Sequence, residues 1–155
     1  MILEQTLILL KPDVVQRGLV GTVIQRIERR GLRIAALKMM WMTPELAERH
    51  YGEHKGKPFY EPLVRFITSA PLIAMVVTGP EAISIMRTMM GPTNSKEAPP
   101  GTIRGDFGLS NRHNLIHGSD SPESADREIP LFFEEEEILD YGRPTEPWSD
   151  PDAAW

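Results

Sequence analysis

The chain has 155 residues, 41% of them hydrophobic, which suits one compact domain with a single core. It has no cysteine, so disulfides and thiolate metal sites are excluded; a net charge of −5 argues against general nucleic-acid binding, which needs clustered Lys and Arg. No apolar run approaches the roughly 20 residues that span a bilayer, and Met1-Ile2-Leu3-Glu4 lacks a signal-peptide start, so no membrane contact and a cytoplasmic location are expected.

Gln5 to Leu10 reads as a short central strand that delivers Lys11 to the sheet edge, with a turn through Gly18. Val20, Val23, Ile24 and Ile27 recur at helical spacing, Arg26, Arg29 and Arg30 take the solvated face, and Gly31 ends that helix. Arg33 to Met42 is β-compatible, its methionines serving as core filler. Thr43-Pro44 caps a second helix that runs to Tyr51 and stops at Gly52.

Phe59 opens a third helical stretch with Leu63, Val64, Phe66 and Ile67 as its buried stripe; Phe59 could itself belong to the core, or, at a helix start beside Pro58, its exposed ring could stack on a flat ligand. Pro71 to Thr78 is an uninterrupted apolar strand, and Glu81 to Met90 a helix. Gly91 to Asn111 is the longest irregular segment, which in a compact domain points to function. Glu134 to Glu137 reads as a solvated turn. Residues 1–142 are expected to form the domain and 143–155 a Pro- and Trp-containing tail, with Trp148 docked on the same or a neighbouring subunit.

The element order fits an α+β, ferredoxin-like βαββαβ plan, a four-stranded antiparallel sheet with helices mainly on one face. Its chemistry concentrates in Asn114-Leu115-Ile116-His117-Gly118-Ser119-Asp120-Ser121. Leu115 and Ile116 read as a buried strand that Gly118 breaks, leaving His117 at a crevice, and Ser121-Pro122-Glu123 starts a helix that carries Glu128. A lone histidine of this kind is more often structural than catalytic.

This stretch closely resembles the active-site signature of the nucleoside diphosphate kinases, and the resemblance extends from Lys11-Pro12-Asp13 through Gly101-Thr102-Ile103-Arg104-Gly105-Asp106-Phe107 to Glu128. The resemblance implies the ferredoxin-like fold and transfer of a γ-phosphoryl group between nucleoside tri- and diphosphates through a phosphohistidine at His117. It implies Glu128 as the orienting carboxylate; Arg87, Thr93 and Arg104, with Lys11, around the phosphates; Lys11 and Asn114 at the sugar hydroxyls. Tyr51 falls near the catalytic site, and Phe59, with Leu63 beside it, at the base. Mg²⁺ would bridge the phosphates, with no protein side chain assigned to it. A base held mainly by stacking implies broad nucleotide use. No Gly-rich Walker loop exists, so side chains must hold the phosphates.

Four positions depart from the family pattern. Asn111 stands where an apolar residue against the base is usual, which predicts altered base affinity or preference. Ser95 replaces a frequent proline, which predicts a looser loop and weaker assembly. His113 and Phe132 stand where arginine and tryptophan are common. The long loop and the tail resemble hexameric members of the family, so a homohexamer is expected over a tetramer. Two rivals are a non-catalytic ferredoxin-like module that senses nucleotides or binds RNA, and a metal site built from His50, His54, His113 and His117, whose spacings match no common zinc pattern.

Overall fold

The computed structural model describes residues 3–143 and Trp148. β1 (Glu4–Leu10) lies inside a four-stranded sheet with β2 (Arg33–Met40), β3 (Leu72–Gly79) and β4 (Ile116–Gly118), in the order β2-β3-β1-β4 with every neighbouring pair antiparallel. This is the ferredoxin-like sheet expected. Side chains alternate across a strand, so Leu7 and Leu9 of β1 join one core, and Ile8 and Leu10 the other.

The first core is closed by α3 (Pro44–Tyr51), α4 (Tyr60–Ile67) and α7 (Pro122–Phe132), which contribute Ala47, Tyr60, Ile67, Ile129 and Phe132. The second is closed by α2 (Val20–Arg29), α5 (Ala82–Met90) and α6 (Ile103–Phe107), through Val23, Ile27, Met86, Met90 and Ile103. Helices mainly on one face is therefore incorrect. β3 is buried at all its positions and β1 from Thr6 onward, so both sides of the sheet must be covered.

Several local expectations also change. The turn through Gly18 begins as a short helix, α1 (Pro12–Gln16), with Lys11 as its extended N-cap and Pro12 in the first turn, where the missing N–H costs nothing. The long irregular segment contains a 3-10 turn at Ser95–Glu97 and the whole of α6, whose N-cap Thr102 accepts from the Gly105 amide. β2 stops at Met40, and Met39 is 61% exposed, so of its methionine run only Met42 is fully core. Trp148 is 79% exposed, and residues 144–147 and 149–155 of the tail, on which its expected docking bears, lie outside the described residues.

The strand at the key motif starts one residue late. Leu115 is not in it: its φ of 75° is left-handed, a conformation costing a leucine about 1–2 kcal/mol. Both its backbone groups are held there, the carbonyl by the Lys11 amide at 2.8 Å and the amide by Asp13 Oδ2 at 3.1 Å. Gly118 does not break the strand but completes it. A Cβ at that position would come within 2.6 Å of Met90 Sδ and 3.3 Å of Ile8 Cδ1, so glycine allows α5 to approach β4.

Candidate active site

His117 sits in the middle of β4, opposite Leu9. Its Nε2 lies 2.9 Å from Oε1 of Glu128, which α7 carries back over the sheet. A carboxylate there only accepts, so Nε2 carries the proton and Nδ1 is the unprotonated nitrogen. The same Oε1 accepts from the Ser119 hydroxyl at 2.8 Å, and Ser119 Oγ in turn accepts from the Leu7 amide at 3.1 Å. Burial pushes the Glu128 carboxyl up, but the hydrogen bond and charge of His117 and the bond from Ser119 outweigh it and hold it below its usual range.

The imidazole faces a cavity of about 290 Å³ that also takes in Lys11, Tyr51, Arg87, Thr93, Arg104 and Asn114. Lys11, Arg87, Arg104 and Arg127 gather here beside the carboxylates of Glu53, Asp120 and Glu128, and Glu128 is itself taken up by His117, Ser119 and Arg127. Burial, then Arg104, lowers the Lys11 ammonium to about 8 despite the opposing pull of Asp13; burial, then Arg87, lowers Arg104 to about 10. Charges crowded in this way favour an incoming polyanion.

Backbone commitments hold these groups in place. Arg104 donates to the carbonyls of Asn114 at 3.1 Å, Gly91 at 2.8 Å and Ile116 at 2.5 Å, tying both ends of the long segment to β4. Asn114 accepts from Lys11 Nζ at 2.7 Å and donates to the Thr93 carbonyl at 3.0 Å. Arg87 reaches the Gly118 carbonyl only at 3.4 Å, which leaves most of its guanidinium uncommitted. The buried Tyr51 hydroxyl has no hydrogen-bond partner, and burial raises its pKa well beyond the usual range.

A second cavity, of about 740 Å³, adjoins the first and shares Lys11, Tyr51, Thr93 and Asn114 with it. Phe59, at the N-cap of α4 and 49% exposed, and the half-buried Leu63 give it an apolar wall, and Asn111 lies among its polar residues. An open aromatic face beside a cationic pocket is a shape for a flat ring joined to phosphates.

The model of the nucleoside diphosphate kinase family matches residues 4–138. The chain belongs to the nucleoside diphosphate kinase family. Curated members include proteins from Archaeoglobus fulgidus, 56% identical over 94% of this chain and 97% of its own, and Carboxydothermus hydrogenoformans, 58% identical over 94% and 98%. Among solved structures, the Halobacterium salinarum nucleoside diphosphate kinase in complex with CDP superposes with a TM-score of 0.92 at 47% identity, over 94% of this chain and 97% of that one. The Borrelia burgdorferi enzyme, solved as a transition-state mimic with vanadate and ADP, gives 0.89 at 40% identity over 94% and 96%. Membership makes this chain an enzyme, a nucleotide phosphotransferase.

The fold of this nucleoside diphosphate kinase brings all eleven residues singled out from its sequence to the two adjoining cavities. Sequence reasoning missed Ser119 as Glu128's second partner, although residues 117 and 119 fall on one side of an extended chain. It weighed His50 only as a metal ligand. His50 is buried, both its nitrogens lack partners, and its ring meets those of His117 at 4.8 Å and Tyr51 at 4.5 Å, edge to face. The four histidines do not converge, since His113 packs on Phe66 at 4.7 Å; among the described residues no group of three or more His, Cys, Asp or Glu could hold a metal.

Proposed function

We propose that this chain transfers the γ-phosphoryl group of a nucleoside triphosphate, typically ATP, to a nucleoside diphosphate in two half-reactions through His117. The observation that carries the reading is the His117–Glu128–Ser119 chain of hydrogen bonds at the base of a cationic cavity. Nδ1 attacks the γ-phosphorus, a P–N bond forms, and the bond to the bridging oxygen breaks as the diphosphate leaves. The imidazolium that develops keeps its Nε2 proton against Glu128, whose carboxylate Ser119 holds in place. A second diphosphate then attacks the phosphohistidine in the reverse sense.

Lys11, Arg87, Arg104 and Thr93 are placed to steady the charge on the transferring group, which is most of what phosphoryl transfer asks of a protein. Lys11 and Asn114, where the two cavities join, take the sugar hydroxyls, and Tyr51 closes the site between them. Phe59 and Leu63 hold the base by a face that every base offers, so all common bases are accepted.

Mg²⁺ suits the oxygen donors here. Asp120, a carboxylate at the phosphate cavity that is free of His117 and that the Ser124 hydroxyl holds below its usual range, would be one ligand; the others would be phosphate oxygens and water. When bound, the ion neutralises charge on the outer phosphates. No helix among the described residues is long and apolar enough to cross a membrane, and a cytoplasmic homohexamer is the setting proposed, with residues 1–142 as its catalytic domain.

The test is to incubate the protein with Mg²⁺ and γ-labelled ATP without an acceptor. Label should attach covalently, be acid-labile, be released by GDP, CDP or UDP, and be absent from His117→Gln. ATP binding without attached label would sink the phosphohistidine and leave a nucleotide-sensing module.

A further inference from the structure

Lys11 is 7% exposed, yet it lines both cavities and stands where they join, so a molecule must enter the nucleotide site to reach it. Asn114 fixes its amine. The Asn114 amide donates to the Thr93 carbonyl at 3.0 Å, which turns its oxygen toward Nζ of Lys11, 2.7 Å away. Burial, then Arg104, lowers the ammonium to about 8, so near pH 7 roughly a tenth of the chains carry a neutral amine there. One N–H keeps the bond to Asn114, and the lone pair is left to act as a nucleophile. The other four lysines differ. Lys38 and Lys55 pair with Glu137 at 3.3 Å and Glu48 at 2.6 Å, Lys57 and Lys96 are exposed, and none of them lines either cavity.

We infer that Lys11 is a carbonyl-reactive site that takes a flat aldehyde bearing a phosphate ester, held as an imine that blocks the nucleotide site. The inference rests on the kinase reading only for the phosphate cavity; His117 takes no part. A phosphate ester suits the first cavity, where most of the Arg87 guanidinium is uncommitted and Thr93 and Arg104 stand with it. A flat ring suits the second, against Phe59. In pyridoxal phosphate the aldehyde and the phosphate-bearing carbon stand on adjacent ring positions. A molecule that spans both cavities therefore carries its aldehyde to their junction, where Lys11 lies.

The lone pair of Nζ adds to the aldehyde carbon, and the carbonyl oxygen takes up a proton to give a carbinolamine. Loss of that oxygen as water leaves a C=N bond to Nζ, so amine and aldehyde become imine and water, with no oxidant or reductant. Removal of the aldehyde reverses the sequence and returns the free lysine.

Pyridoxal phosphate, followed by borohydride reduction and peptide mapping of the added mass, tests this on the full chain. Mass should attach at Lys11, ADP should prevent it, and Lys11→Arg, which keeps the charge but cannot form an imine, should lose it. Pyridoxal without its phosphate should label Lys11 about ten-fold more slowly, the worth of one charge-assisted hydrogen bond. His117→Gln should label as the unaltered chain does. Mass confined to the other lysines, labelling of Lys11 that ADP does not slow, or equal rates for pyridoxal and its phosphate would each overturn the inference. ADP-sensitive label at Lys11 in a chain that transfers no phosphoryl group would remove the kinase reading and leave this one standing; phosphoryl transfer without label at Lys11 would do the reverse.

Discussion

His50 is 3% exposed, ringed by His117, Tyr51 and Phe132, and neither of its nitrogens has a partner. Burial first, and then the neighbouring His117, lowers it from 6.5 to about 3, so in the folded protein it is neutral wherever the enzyme works. The unfolded chain takes up a proton on this residue below about pH 6.5, and the folded chain does not until about pH 3. Stability from His50 is therefore whole above pH 6.5 and falls with pH across that window, at about 1.4 kcal/mol per pH unit. Urea unfolding between pH 5 and 6.5 should show this slope, and His50→Phe should flatten it by nearly that amount, whatever the variant does to absolute stability. An unchanged slope would mean that His50 finds a proton or a partner in the folded state. At this scale the sequence was legible where a motif named a residue, as for His117, Lys11 and Asn114. It was not legible for His50 or Ser119, whose roles exist only once α3 and α7 converge on β4.

Arg104 and the core residue Ile103 anchor the second half of the long segment between α5 and β4, and Ser95, in its first half, is a weak point in it. Ser95 opens the 3-10 turn that Asn94 caps, its hydroxyl is buried without a partner, and it packs where a Cβ on Gly108 would fall 2.2 Å from its Oγ. Proline suits the first position of such a turn, removes the orphaned hydroxyl and restricts the unfolded chain. Ser95→Pro should raise the unfolding free energy by about 1 kcal/mol, seen as a later denaturant midpoint at unchanged slope. A lower midpoint would show that the ring does not fit against Gly108. Long periodic elements such as α2 and β3 could be read directly from the chain. The two five-residue helices, α1 and α6, could not, because so short a helix shows no apolar period and is fixed by what it packs on and, in α6, by the Thr102 cap. The late start of β4 had the same cause: the left-handed turn at Leu115 is set by Lys11 and Asp13, about a hundred residues away in sequence.

At the scale of the molecule, the antiparallel sheet was legible from element order, but cover on its second face was not, since amphipathic helices do not say which side they choose. One strand remains incompletely covered. β2 is an edge strand; the chain's own 139–143 segment lies along its first half, with the Leu139 amide on the Ala35 carbonyl at 2.9 Å and the Tyr141 hydroxyl on that of Ile34 at 2.6 Å. Beyond it, Leu37, Met39 and Trp41 alternate outward at 52%, 61% and 61% exposed, an apolar stripe on a sheet edge that a monomer would ordinarily protect with charge. A second copy related by a two-fold axis would cover the stripe with the same stripe. A charge in the middle of that contact would be buried unpaired in both subunits, which costs several kcal/mol. Met39→Glu should therefore keep its far-ultraviolet dichroism while sedimenting as a smaller species than the unaltered protein, for which a mass six times the 17.5 kDa of the chain is expected. An unaltered chain that sediments as a monomer at micromolar concentration would remove the assembly altogether, and a Met39→Glu species of unchanged mass would move the contact to another surface.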